Sequence, residues 1–86
     1  MELCVRVRTK DRAELELREK SVVSRVEVHE LLSRSLLQKV MEFIENKKID
    51  RIIVEGGKTT FSSFKVAVMS AKVIGWYRDI PVTYQE

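Results

Sequence analysis

One stretch of the chain could bind phosphate, because residues 56–59 read Gly-Gly-Lys-Thr and Gly-Lys-Thr closes a P-loop. A P-loop needs another glycine five residues before the glycine of the Gly-Lys pair, so that backbone N–H groups can wrap around the phosphates. That position is Ile52, within an apolar segment typical of a strand. A sharp turn followed by a helix cap is therefore the better interpretation. The residues predicted to form the turn and cap are Gly56, Gly57, Thr60 and Ser62.

The other side chains capable of chemistry are not grouped as a catalyst requires. Two-metal hydrolysis needs carboxylates clustered at strand ends, whereas Glu55 follows its strand alone and Glu14 and Glu16 alternate with apolar residues beside arginines. His29 is the only histidine, so a pair of histidines cannot bind a metal. Cys4 shares its strand parity with arginines that could lower its pKa, but it has no nearby base. We expect no catalytic activity, no cofactor and no bound metal.

The composition is that of an ordinary soluble domain. Its 86 residues are 44% hydrophobic and 34% charged, which suits one small globular unit. A single cysteine favours a reducing compartment, and no apolar run approaches the ~20 residues that span a bilayer. The net charge of +3 is too small to indicate nucleic-acid binding by itself. We therefore expect residues 1–86 to form a single cytoplasmic domain.

Three segments with period-two alternation open the chain: residues 3–7, 13–17 and 22–28. Turn residues separate them, which predicts an antiparallel three-stranded meander. One face of this sheet is rich in Leu and Val, and the other carries opposite charges that can pair across the strands. A sheet with one polar face is covered by helices on its other face only. The charged face also indicates a chain adapted to being short.

Two helices with broad apolar surfaces are predicted at residues 29–48 and 61–78, each followed by a strand, at 51–54 and 80–84. These crossovers predict parallel pairing and the order β-β-β-α-β-α-β. The second helix is apolar nearly all round, which is typical of a helix buried on more than one side. On one of its sides lie Phe61, Phe64, Val68 and Ala71, and on the other Val66, Met69, Val73 and Trp76.

So short a chain offers little to bury both helices, and the excess apolar surface predicts an interface. Small residues on the second helix would let another helix approach closely, and a helix pair can dock on another pair as a four-helix bundle. The predicted interface residues are Leu37, Met41 and Ile44 on the first helix, and Ser63, Ala67, Ser70 and Ala71 on the second.

The second helix and the strand after it also resemble a known family. Residues 61–75 read F-S-S-F-K-V-A-V-M-S-A-K-V-I-G, and Ile80-Pro81-Val82 follows. This is similar to G-x-G-S-F-T-G-L-R-x-G-x-x-x-A-K-G followed by I-P-V, a pattern of TsaB, the bacterial tRNA threonylcarbamoyladenosine biosynthesis protein. The chain departs from it in the longer glycine turn, in Ser63 where the family has glycine, and in lacking the usual Asp at the end of strand one.

The resemblance covers the N-terminal half of that family. It implies the ribonuclease H-like half of the actin-like ATPase fold, an α/β architecture with a mixed sheet and both helices on one face. It also implies a non-catalytic partner subunit in tRNA modification, whose helices 29–48 and 61–78 are the surface for docking a TsaD-like protein and for self-pairing. Whether tRNA is contacted directly or only indirectly stays open. Two alternatives stay open. One is a stand-alone homodimer, and the other is a ribonuclease H-like nucleic-acid-binding module whose arginines would be Arg6, Arg8, Arg18 and Arg25.

Overall fold

A computed structural model describes residues 1–30, 32–56 and 61–85, and within them the chain forms five strands and two helices. In chain order they are β1 (Glu2–Thr9), β2 (Arg12–Arg18), β3 (Val22–Val28), α1 (Leu32–Phe43), β4 (Arg51–Glu55), α2 (Phe61–Arg78) and β5 (Val82–Gln85). β1, β2 and β3 form the antiparallel meander, while β4 lies parallel to both β1 and β5. The sheet order is β3-β2-β1-β4-β5. The predicted element order and mixed sheet are confirmed.

Both helices cover the same face of the sheet, as the alternation predicts. In β1 and β2 the residues of one parity are buried, and α1 and α2 close over them to make one apolar cluster. The sheet contributes Leu3, Val5, Leu15, Leu17, Ile52 and Val54, and the helices contribute Leu36, Val40, Ile44, Ala67, Ala71 and Ile74. We call the opposite face of the sheet, which carries the charged residues, the outer sheet face.

α1 is shorter at both ends than the predicted helix 29–48. Before it, the Leu32 N–H donates to the Lys10 carbonyl at 3.0 Å, which ties the helix start to the β1–β2 turn. After it, the Lys47 N–H donates to the Ile44 carbonyl at 3.0 Å, so the chain leaves the helix in a tight turn. Ile49 is buried in the core beyond that turn. Tertiary burial therefore ends the helix earlier than its apolar periodicity suggested.

The C-terminal ends of the two helices are joined by Arg78. Its guanidinium donates to the carbonyl oxygens of Ile44 and Lys47 at 3.0 Å each, and to that of Glu45 at 3.4 Å. The last carbonyls of a helix lack partners within the helix, so an arginine from a neighbouring element can cap them. Arg78 thus fixes the position of α2 beside α1.

α2 lies very close to the sheet at Gly75. A Cβ atom at this position would lie 2.7 Å from Val82 Cγ2 and 2.9 Å from the Ile80 carbonyl oxygen. Glycine is required here because the backbone of α2 approaches the start of β5 too closely for a side chain. This approach sets which side of α2 is turned toward the core.

Candidate partner-docking surface

Four of the seven predicted interface residues lie inside the chain itself. Ile44, Ser63, Ala67 and Ala71 are each at most 4% exposed, so a partner cannot contact their side chains. The side of α2 that carries the small residues faces the sheet, because small side chains permit the close approach of α2 to the sheet at Gly75. This corrects the prediction that the small side of α2 receives a partner helix.

The other three predicted interface residues lie on the outside of the helix pair. Leu37 and Met41 on α1 are exposed, and Ser70 on α2 is half-buried. They are joined by exposed apolar residues on the other arc of α2, which we did not choose from the sequence. The helix-pair surface is defined here as Leu37, Met41, Met69, Val73, Trp76 and Tyr77.

The sequence carried the signal for the missed residues. Met69, Val73 and Trp76 belong to one of the two apolar arcs of α2. Large apolar side chains exposed to solvent indicate a contact surface more strongly than small ones do. In the structure Met69 is 54% exposed, Val73 47% and Trp76 85%. The excess apolar surface predicted for α2 therefore exists, but on its large-residue arc.

The helix-pair surface is grooved. A concavity of about 610 Å³ lies between the two helices, with Leu37 on one wall and Met69 and Val73 on the other. Val73 also borders a second concavity of about 110 Å³, which Met41 and Trp76 line. Both hollows border Val73, so they lie next to each other along the helix pair, and we refer to them together as one track.

Charge is distributed unevenly along this track. Arg34 and Lys65 line the larger concavity, close to the N-terminal ends of the two helices, where the helix dipoles are also positive. At the other end, Arg78 lines the smaller concavity, and its guanidinium donates to the Ile44 carbonyl just after α1. The surface is therefore an apolar groove with cationic side chains near both ends.

The outer sheet face is covered by ion pairs. Arg6 lies 2.9 Å from Glu14, 3.0 Å from Glu16 and 2.8 Å from Glu55. Glu16 is 1% exposed and is also contacted by Arg18 and Arg25, at 2.9 Å each. Burial by itself raises the pKa of Glu16, but hydrogen bonds from Arg18 and Arg6 outweigh it and leave that pKa lowered.

The arginines proposed for phosphate contact are therefore engaged within the chain. Arg6, Arg8, Arg18 and Arg25 each have a carboxylate oxygen within 2.9 Å. The interpretation of Glu14 and Glu16 as paired charges fits this arrangement. Phosphate binding at this face would have to displace these carboxylates, so the geometry does not favour the nucleic-acid-binding alternative.

Cys4 is buried beneath this network and is not an activated nucleophile. Burial raises the pKa of its thiol to about 11, and the nearby Glu55 carboxylate raises it further. Arg18 and Arg6 act in the opposite direction but do not outweigh these effects. The expectation that arginines of the same strand parity would lower the pKa of Cys4 was wrong, because desolvation dominates.

The predicted turn and cap lie mostly outside the described residues. Gly57 and Thr60 fall in the segment 57–60, and the side chain of Ser62 is likewise not described. Gly56 is buried, and a Cβ there would lie 2.3 Å from the Phe64 ring. Gly56 is thus needed where β4 ends beneath the first turn of α2.

Two further properties concern only the described residues. Neither α1 nor α2 is long and apolar enough to cross a membrane. Within residues 1–30, 32–56 and 61–85, no three His, Cys, Asp or Glu side chains come together as a metal site. His29 Nε2 lies 2.8 Å from Glu27 Oε2 on the surface, just before α1.

These features define an α/β domain with a mixed sheet, a charge-paired outer face and an apolar helix-pair surface. The fold is shared with YeaZ from Pseudomonas aeruginosa, with a TM-score of 0.72 and 18% identity over 95% of this chain. A second similar structure, of an uncharacterized protein with similarity to peptidase YeaZ from Pseudomonas aeruginosa, gives a TM-score of 0.69 and 16% identity over 98% of this chain. This chain spans only 41% and 43% of those two structures.

Comparison by sequence adds no relative. No family model matches the chain, and no curated protein matches it. The resemblance to the N-terminal half of TsaB, also called YeaZ, is confirmed at the level of the fold. The arrangement is the ribonuclease H-like half of the actin-like ATPase fold, as predicted.

Proposed function

We propose that this chain is a non-catalytic partner subunit in tRNA modification, which docks a TsaD-like protein through the helix-pair surface. The observation that carries the proposal is the exposure of large apolar side chains along two adjacent helices, with Trp76 85% exposed. The tRNA-modification theme rests on the resemblance to TsaB and the fold shared with YeaZ. The chain covers under half of those structures, so its role is argued from its own surface.

The chemistry of the helix-pair surface suits a protein partner. Burying apolar surface contributes roughly 25 cal/mol per Å², and Trp, Tyr and Met are enriched at the centres of protein interfaces. Trp76, Tyr77, Met41 and Met69 are exposed. In this proposal Trp76 and Tyr77 act as anchors, and the two methionines as adaptable contacts. A partner helix laid along the groove would complete a bundle-like contact.

A supporting rather than catalytic role fits the described side chains. Cys4 is buried with a raised pKa, and the Glu14 and Glu16 carboxylates are held by arginines. These groups are committed to the structure of the sheet, whereas the helix-pair surface is open. We place the protein in the cytoplasm, because its only cysteine suits a reducing compartment.

The proposal is tested by titrating a TsaD-like protein with Val73→Glu in a calorimeter. Val73 borders both concavities, so a carboxylate there would be buried without a partner in the complex. The expected loss is about 3 kcal/mol, roughly a hundredfold in affinity. Met41→Glu should weaken binding in the same direction.

The matched control is Val23→Glu, which places the same charge on an exposed valine of β3. It should bind as the unmodified chain does. Equal affinity of Val73→Glu and Val23→Glu, or no binding by the unmodified chain, would remove the proposal.

A further inference from the structure

The edge strand β3 has the features of a self-pairing surface. β3 is an edge strand in the sheet order β3-β2-β1-β4-β5. Among the described residues, no strand pairs with the edge of β3 that faces away from β2. Val22, Val23 and Val26 are exposed there. Natural edge strands are commonly protected by charged residues, especially lysine, by proline or by bulges. β3, which reads Val-Val-Ser-Arg-Val-Glu-Val, contains neither lysine nor proline, and its bulge lies near one end.

The regular part of β3 has a defined centre. The pairing with β2 shifts register between Leu17 and Arg18, which leaves Val23 as the extra residue of a bulge. The segment from Ser24 to Val28 is regular, and its middle residue is Val26. An antiparallel pairing of two copies about a two-fold axis through Val26 would use all of this segment and avoid the bulge.

The charges of Arg25 and Glu27 favour the same pairing register, centred on Val26. With the axis at Val26, Arg25 of each copy lies opposite Glu27 of the other, on the outer sheet face. With the axis at Arg25 or at Glu27, like charges would face each other across the axis, which is destabilising. The side chains of Arg25 and Glu27 are 55% and 49% exposed. Within one copy Arg25 contacts Glu16 and Glu27 contacts His29, so the new pair would extend these contacts across the strand pair.

We propose that two copies of this chain associate by antiparallel pairing of their β3 edges, with Val26 opposite Val26 and Arg25 opposite Glu27. The pairing joins the two sheets into one, with all the described helices on one side and both outer sheet faces on the other. The helix-pair surfaces stay open, so the association is compatible with the proposed function and independent of it.

The register is tested by cysteine cross-linking in the full chain. Residues directly opposite in an antiparallel pair have Cα atoms roughly 4.5–5.5 Å apart, within the range that a disulfide spans. Val26→Cys should therefore form a disulfide-linked dimer under mild oxidation, read by non-reducing electrophoresis and mass spectrometry. Cys4 is fully buried and does not compete.

The matched control is Val23→Cys, which lies at the bulge outside the proposed paired segment and should cross-link about tenfold more slowly. In sedimentation equilibrium the unmodified chain should approach twice its 10.0 kDa mass, and Val26→Lys should return it to the monomer mass. Val73→Glu should leave the dimer intact.

Equal cross-linking of Val26→Cys and Val23→Cys would overturn the proposal. So would a monomeric unmodified chain at high concentration, or a dimer that Val73→Glu disrupts and Val26→Lys does not. The last result would identify the helix-pair surface as the site of self-association instead.

Discussion

The outer sheet face and the helix-pair surface expose opposite kinds of side chain to solvent. On the outer sheet face, Arg6 bonds three carboxylates and Glu16 bonds three arginines, so the charges are matched inside the chain. On the helix-pair surface, Met69, Val73 and Trp76 are exposed to solvent, and no element of the described chain covers them. Binding a partner would add little stability at a face whose charges are already paired. At an exposed apolar face, binding would add the free energy of burying apolar surface.

The difference between the two surfaces has two causes in the sequence: the alternation of charged and apolar residues in β1 and β2, and the apolar composition of α2. Alternation in β1 and β2 sends every second residue outward, and opposite charges at paired positions such as Arg6 and Glu14 meet across the ladder. α2 is apolar on both arcs, and the sheet can cover only one of them. The uncovered arc forms part of the exposed helix-pair surface.

The largest effect should come from removing the most exposed anchor of the helix-pair surface. Trp76→Ala should weaken binding of a TsaD-like protein by about 2–4 kcal/mol, because interface tryptophans carry a large share of binding energy. The free energy of unfolding should change by less than about 0.5 kcal/mol, as for surface substitutions in general. Calorimetric titration and denaturant unfolding measure the two quantities. A variant that unfolds more easily but binds normally would show that Trp76 serves the fold.

The outer sheet face should behave in the reverse manner. Glu16→Gln should lower the free energy of unfolding by about 2 kcal/mol, since it weakens several charge-assisted hydrogen bonds to a buried group. Partner binding should be unchanged. The control is Glu19→Gln, which changes an exposed glutamate and should have little effect on unfolding.

The pH dependence sharpens this prediction. The pKa values of Glu14 and Glu16 are lowered in the fold from the ordinary 4.5, with arginine hydrogen bonds as the lowering cause. Below about pH 4.5 the unfolded chain therefore binds more protons than the folded one, and stability falls as pH falls through the folded pKa values. Unfolding measured from pH 7 to pH 3 should show this loss in the unmodified chain and less of it in Glu16→Gln. Parallel profiles would contradict the assigned role of Glu16.

The smallest effect concerns how the helix-pair surface is held in shape. Arg78→Ala removes the hydrogen bonds from α2 to the Ile44 and Lys47 carbonyls in the turn after α1, and should cost about 1 kcal/mol of stability. Arg78→Lys should recover only part of this, because an ammonium lacks the fork that reaches several carbonyls. Thermal unfolding of the two variants checks the order. Equal stability of Arg78→Lys and the unmodified chain would show that charge alone suffices.

The sequence predicted the fold well because its signals are local and periodic. The period-two segments and the bounds of α2 follow from short-range patterns, and both are confirmed. The turn predicted at Gly56 and Gly57 lies mostly outside the described residues and stays a prediction. The ends of α1 were missed because they depend on tertiary contacts, such as the bond between Leu32 and Lys10 and the burial of Ile49.

An excess of apolar helix surface was predicted, but three of the four interface residues chosen on α2, Ser63, Ala67 and Ala71, are buried within the chain. Both arcs are apolar, and periodicity alone cannot say which one faces the sheet. The close approach at Gly75 to Val82 and Ile80 decides it, by placing Ala67 and Ala71 inward. A small-residue arc beside a helical glycine is therefore better interpreted as the side that packs against the sheet.

The most direct test of the docking surface uses the only tryptophan in the chain. Trp76 labelled as 5-fluorotryptophan gives one fluorine resonance, which reports on the helix-pair surface alone. Adding a TsaD-like protein should shift and broaden this resonance in step with complex formation, and Val73→Glu should suppress the change. An unshifted resonance, while sedimentation shows that the complex has formed, would contradict docking through the helix pair.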